Sequence, residues 1–173
     1  MARRCVDRNE GSRLWSVVLN DLAIDPTSPQ RKGIPPMDIK RNGARASRVS
    51  DPEHFTGIAW VDQEFSAPAP ARVRGGIVTF SPGARTDWHT HPLGQTLLVT
   101  DGAGWVQRDG GPIEDIRSGD LVWIAPGEKH WHGATLTTSM SHVAISERDA
   151  EGKTATWLEK VDGSELVSKA AVA

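Results

Sequence analysis

Four side chains able to give a lone pair to a metal ion fall in two short stretches: His89, His91 and Gln95 in GARTDWHTHPLGQTLLVTDG, and His130 in GDLVWIAPGEKH. Alternate residues of an extended chain point to the same side, so His89 and His91, with Thr90 between them, have chelate spacing for a strand. Pro92, Leu93 and Gly94 form a turn-like break that lets Gln95 return to the same pocket. A second turn and the Pro126-Gly127 corner deliver His130 as the fourth ligand. Three imidazoles and a carboxamide are all neutral, so a divalent ion among them keeps its full charge. Such an ion favours anions such as alkoxide, enolate or cyanide. Imidazole and oxygen donors suit Mn(II), Fe(II), Co(II), Ni(II) and Zn(II), and the ligand set does not choose among them. The competing reading is histidines hydrogen-bonded inside a barrel that has lost its metal.

Two more histidines bear on the chemistry. His132 lies two residues beyond His130, so on a continuing strand it faces the same cavity, and a free imidazole there is suited to taking and returning a proton. A supporting structural role is the alternative. His142 sits in Ser139-Met140-Ser141-His142-Val143-Ala144-Ile145-Ser146. If it faces inward, so do Ala144 and Ser146, and the opposite phase is equally open. His54, in a loop-like stretch with no comparable partner, reads as a surface or entrance residue.

The elements that must position these groups are short strands separated by turn chemistry, which makes the chain all-β. Strands are expected near Ile58 to Val61, Val73 to Ser81, Thr86 to His91, Gln95 to Thr100, Gly104 to Arg108, Ile113 to Ile116, Leu121 to Ile124, His130 to Ala134 and Ser139 to Glu147. Asp109-Gly110-Gly111 is a tight-turn signal. The tail offers an edge strand within Ala155 to Val161 and a short helix or frayed end from Ser164. Trp88 and Trp131 alternate out of phase with the ligand histidines and should point away from the metal. Of seven tryptophans, in a chain without tyrosine, Trp60, Trp88, Trp105, Trp123 and Trp131 fall in or beside strands, where core or intermolecular packing is the default role; packing of some of them on a second subunit goes with the expected homo-oligomer, a dimer or a tetramer.

A chain of 173 residues suits one domain and is short for two. Residues 1–36 are polar, interrupted and Pro-rich toward their end, and read as an extension or linker that is irregular and partly disordered. Residues 37–173 read as the domain, and Met37 could serve as an internal start. With 20 basic against 22 acidic residues and no long run of either sign, no nucleic-acid partner is expected. The lone Cys5 excludes an internal disulfide. Neither a secretory leader nor a membrane-spanning run is apparent, so a cytoplasmic protein with no membrane partner is expected.

The two histidine segments resemble the paired motifs of the cupin superfamily. Gly83, His89, His91, Gln95 and Gly102 match every spacing of the first motif, with Gln95 where the family has an acid. Gly119, Ala125, Gly127, His130 and Ala134 follow the second, with Ala125 and Ala134 where the family has proline and asparagine. Phe80-x-Pro-Gly-Ala-Arg-Thr-x-Trp-His-Thr-His-Pro-Leu-Gly-Gln and Pro126-Gly-Glu-Lys-His-Trp-His-Gly-Ala are similar to the small manganese-dependent cupin hydroxynitrile lyases. That resemblance implies a double-stranded β-helix, or jelly-roll barrel. It further implies manganese on His89, His91, Gln95 and His130, and His132 and His142 beside the substrate. The pocket would include the strand carrying Gly76 and Val78, and Ser146 where the relatives commonly have glutamine. The implied reaction is reversible cleavage of a cyanohydrin to an aldehyde and cyanide. A cupin dioxygenase or isomerase acting on a small carbonyl or enol compound is the alternative, as is a non-catalytic module binding a metal or small ligand.

Overall fold

Apolar stretches of four to eight residues, bounded by Gly, Pro and Asp, are too short for stable helices and well suited to a pleated, half-buried surface. The computed structural model describes residues 37–171. Its elements are β1 (Arg48–Val49), β2 (Phe55–Thr56), β3 (Ala59–Ser66), β4 (Val73–Phe80), β5 (Arg85–Thr86), β6 (His89–Thr90), β7 (Gln95–Arg108), β8 (Glu114–Arg117), β9 (Leu121–Ile124), β10 (His130–Ala134), β11 (Met140–Glu147), β12 (Thr156–Trp157) and α1 (Ser164–Ala170). The fold is all-β, as expected, and the short helix falls where the tail allowed one. The expected extension 1–36 lies outside the described residues, and from Lys40 onward the chain forms one unit.

Two antiparallel sheets share β7. One runs β1-β3-β4-β11-β7-β9; in the other β7 pairs with β8 and β10, and β10 with β5 and β6, which carry β2 and β12 on their outer sides. Sequence patterning placed two strands, Gln95 to Thr100 and Gly104 to Arg108, where the protein has one of 14 residues. A β-bulge explains the difference. Val99 pairs with His142 but Asp101 with Ser141, so Thr100 is an extra residue that reverses the inward phase without breaking the ladder. Gln95, Leu97 and Val99 therefore face the interior on one side of the bulge, and Gly104 and Val106 on the other.

Two further expectations needed correcting, and two short elements were not expected at all. The expected strand Thr86 to His91 is two short pieces interrupted at Asp87 and Trp88, where the backbone is held by His54 and Glu159 carbonyls rather than by a sheet partner. β3 runs on to Ser66 through a bulge around Gln63, which has φ +51°, and so outlasts the stretch Ile58 to Val61. β1 and β2 are two-residue edge pairings that carry no pattern of their own.

Cross-strand register stacks the inner face of the first sheet in rows. Ala59, Phe80 and Met140 form the floor; Val61, Val78, His142 and Val99 lie above; then come Gly76, Ala144 and Leu97; Arg74, Ser146 and Gln95 complete the series. Phe80, Met140 and Val99 belong to one buried apolar cluster, and Leu97 is buried in the row above Val99. Trp105, Trp131, Val161 and Leu166 make a second cluster, with Trp88 packed on it, on the other face of β10. Trp88 and Trp131 thus turn away from the histidines, as their phase requires.

Candidate metal centre

β6 and β10 pair with His89 directly opposite His130, so the two imidazoles project from one face and their ring centroids lie 4.2 Å apart. His91 follows on the same side, 5.1 Å from His89 and 5.6 Å from His130. Gly94 adopts φ +80°, and an added Cβ would sit 2.7 Å from the Ile124 carbonyl, so glycine is what allows the chain to reverse here. Gln95 then enters with its Oε1 3.3 Å from His130 Nε2. All four side chains are buried.

Each of the three imidazoles is fixed by a main-chain carbonyl. The Nδ1–H of His89 donates to Asp87 O (2.9 Å), that of His91 to Thr154 O (2.6 Å) and that of His130 to Glu128 O (2.9 Å). A carbonyl only accepts, so Nδ1 carries the proton and Nε2 keeps its lone pair. His91 Nε2 is buried with no hydrogen-bonding partner among the described residues. His130 Nε2 and Gln95 Oε1, two acceptors in this tautomer, face each other. Ligands about 2.1 Å from a shared ion and at right angles about it sit about 3 Å apart. A buried set of neutral donors whose opposite nitrogens are anchored fits a cation. Burial first, then the neighbouring His130, pushes the His89 pKa well below its ordinary value; burial pushes His91 down and His130 to about 4. The rings are neutral at pH 7, the form in which imidazole ligates.

His132 and His142 form a second pair. His132 faces the cavity 5.4 Å from His89 and 5.9 Å from His130, and ring nitrogens of His89, His130 and His132 approach one another within 4.8 Å. Among the described residues this is the histidine group whose ring nitrogens converge within that distance, and His91, by its ring spacing to the same His89 and His130, is the alternative third member. His91 and His132 differ in anchoring, because His132 Nδ1 meets His142 Nε2 at 3.2 Å instead of a carbonyl. His142 is 0% exposed and lies on the cavity side. Ala144 and Ser146 share its face, which settles the phase the sequence left open. Burial lowers His142 to about 4; burial first, then His142, pushes His132 well below the usual range. Phe80 packs edge-on against His132 at 5.8 Å.

A cavity of about 360 Å³ is lined by His89, His91, Gln95, His132 and His142 together with Gly76, Val78 and Ser146. His130 supports this wall from beside His89. Several lining residues had not been singled out. Trp157 pairs with His89 across β12 and β6, with the rings 4.7 Å apart. His54 stacks on Trp157 at 4.6 Å and so borders the cavity with a partner that local sequence did not reveal. Lys160 donates to the carbonyls of Pro52 and Glu53 and pairs at 3.0 Å with the buried Asp87, tying the His54 loop to the segment that carries His89. Arg48, Asp51, Glu64 and Arg74 complete the more exposed part of the lining. None of these has a spacing signal, because each reaches the cavity through a pairing distant in sequence.

The chain belongs to the cupin superfamily: residues 76–146 match the Cupin domain family. It is 58% identical over 125 residues to the (R)-mandelonitrile lyase of Granulicella tundricola, covering 72% of this chain and 95% of that protein. A cupin-like protein from Thermotoga maritima superposes with a TM-score of 0.64 at 34% identity, covering 76% of this chain and 96% of that one. A cupin 2 conserved barrel domain protein from Rhodopseudomonas palustris has the same fold, with a TM-score of 0.55 at 15% identity over 74% of this chain and 84% of that one. Among the described residues no helix is long and apolar enough to cross a membrane.

Proposed function

We propose that the protein is a manganese-dependent hydroxynitrile lyase, which reversibly cleaves a small cyanohydrin to an aldehyde and hydrogen cyanide. The observation that carries this reading is the placement of His132. It is an imidazole tied to His142 rather than to the main chain, beside a shell of four neutral donors and on the wall of one cavity. The identity to a protein named for this reaction supports it.

His89, His91, Gln95 and His130 are the proposed ligands, in preference to a set containing His132, because their three imidazoles are each anchored through Nδ1. The ion would supply undiminished positive charge, which lowers the pKa of a neighbouring hydroxyl group. His132 Nε2 accepts the hydroxyl proton, with its Nδ1–H donating to His142 Nε2 so that the acceptor lone pair stays directed into the cavity. The electrons of the O–H bond become the second bond of the carbonyl, and the carbon–carbon pair leaves with cyanide. The His132 proton then passes to cyanide, so atoms and charge balance. Burial keeps His132 neutral, with a lone pair free for the first proton, and makes the imidazolium a strong acid toward cyanide, while the charge of the ion would offset the weaker basicity by acidifying the hydroxyl.

Protein loaded with Mn(II) and given mandelonitrile is expected to release benzaldehyde. His132→Ala should lower the rate by roughly 10²- to 10⁴-fold. Turnover equal to the buffer background would end the lyase reading, and full turnover in His132→Ala would end the mechanism.

A further inference from the structure

The exposed part of the cavity lining carries a charged cluster that proton transfer at His132 does not use. Arg48 grips Glu64 with two nitrogens, Nε to Oε2 at 3.1 Å and Nη2 to Oε1 at 3.0 Å. That fork satisfies the carboxylate. Arg74 touches the same Oε1 with Nη2 alone, at 3.3 Å, and its Nε and Nη1 make no hydrogen bond among the described residues. Asp51 acts on the Arg48 side of the cluster. Arg74 is thus a guanidinium in the cavity wall with donors to spare.

Register places Arg74 in line with the reaction centre. It pairs with Ser146, and Ser146 with Gln95, so the three side chains stand on one face of three adjacent strands. Strands about 4.8 Å apart put the Arg74 and Gln95 backbones about 10 Å apart, with only the serine hydroxymethyl between them. Gly76, two residues along β4, adds no side chain, and Glu64 packs into that space, 3.2 Å from where a Cβ would be. An arginine, a small residue and a ligand side chain in one row form a slot with an anion-binding end and a reactive end.

We propose that Arg74 determines specificity by binding the carboxylate of a short-chain oxo-acid, or of its cyanohydrin, whose carbonyl or hydroxyl end faces His132 and Gln95. The proposal rests on the lyase reading for which end reacts, but carboxylate binding does not require turnover. A guanidinium freed from Glu64 offers the planar fork that suits a carboxylate, which a lysine at this position could not reproduce. Arg48 retains Glu64, so recruiting Arg74 leaves that carboxylate paired.

The test is calorimetric titration of purified full-length protein, chelator-treated and Mn(II)-loaded, with pyruvate and 4-oxopentanoate, each against its methyl ester. At least one acid is expected to bind roughly tenfold more tightly than its ester, as a charge-assisted pair implies. That preference should fall to within about twofold in Arg74→Gln and recover only in part in Arg74→Lys. Ser146→Glu, which sets a competing carboxylate beside Arg74, should abolish it while the guanidinium remains. Absence of acid preference in the wild type, or its survival in Arg74→Gln, overturns the proposal. Because no cyanide or turnover enters, failure of the mandelonitrile assay alongside an Arg74-dependent preference would sink the lyase reading and leave the carboxylate site standing.

Discussion

At the scale of single residues, the deciding feature is which nitrogen of each imidazole is already engaged. Spacing alone made His89, His91, Gln95 and His130 legible, because alternation along a strand is a local property. The Thr154 carbonyl that fixes His91 could not be anticipated, since any residue type supplies a carbonyl and the contact spans 63 positions. If anchoring selects the ligands, manganese analysis should find His91→Ala depleted of metal and His132→Ala still loaded. The reverse pattern, with His132→Ala depleted and His91→Ala loaded, would favour the group containing His132. The second consequence concerns acid. His142 is held near pKa 4 in the fold, against about 6.5 for a free imidazole. The unfolded chain therefore takes up a proton as pH falls below about 6.5 while the folded chain does not, and stability declines until pH approaches 4. Between pH 7 and 5 this one group should cost metal-free protein about 2 kcal/mol. Urea titrations at the two pH values should show that much less pH sensitivity in His142→Gln, whatever its stability at pH 7.

Among the elements, β7 is set apart because one strand serves both sheets. Val99 and Trp105 are both odd-numbered, yet Val99 packs inside and Trp105 outside. Strict alternation cannot produce that, and periodicity therefore divided the strand in two. The bulge that reconciles them is followed by Gly102, with φ +72° and a would-be Cβ only 1.9 Å from Ser139 O. Gly110 has a similar φ of +71° but open space around it. Gly102→Ala should therefore destabilise the fold by more than about 4 kcal/mol, through clash as well as strain. Gly110→Ala should cost about 1–2 kcal/mol, the strain alone. Thermal melts of the two variants side by side would check this, and equal losses would mean that the crowding at Ser139 is relieved cheaply. By contrast β9 and β10 kept their expected bounds, because turn residues flank each and neither contains a phase change.

For the whole molecule, the outer face of the first sheet poses a different question. Leu98 pairs with Leu121 and with Val143, and Thr96 with Trp123 and with Ile145, so Leu98, Leu121, Trp123, Val143 and Ile145 lie around Thr96 on one largely apolar face. Leu121 is 67% and Trp123 59% exposed. Patches of this kind are commonly covered by another subunit, and a face that packs on its own copy about a two-fold axis gives a closed dimer. Light scattering is expected to report at least a dimer for the wild type and a smaller species for Trp123→Asp; a wild-type monomer would contradict it. The all-β class was readable from turn spacing and the barrel from the likeness of the two histidine segments to the cupin motifs, whereas the charged rim was not, because Arg48, Glu64 and Arg74 meet only through strand pairing. The carbonyl anchors carry a last implication. Asp87, Thr154 and Glu128 hold the imidazoles through backbone atoms that every amino acid possesses. Substitutions along the substrate slot, at Arg74, Gly76 or Ser146, need not disturb those anchors. Descendants of this barrel can exchange one substrate for another while inheriting the same anchored imidazoles, so new chemistry can be gained here without dismantling the proposed metal site.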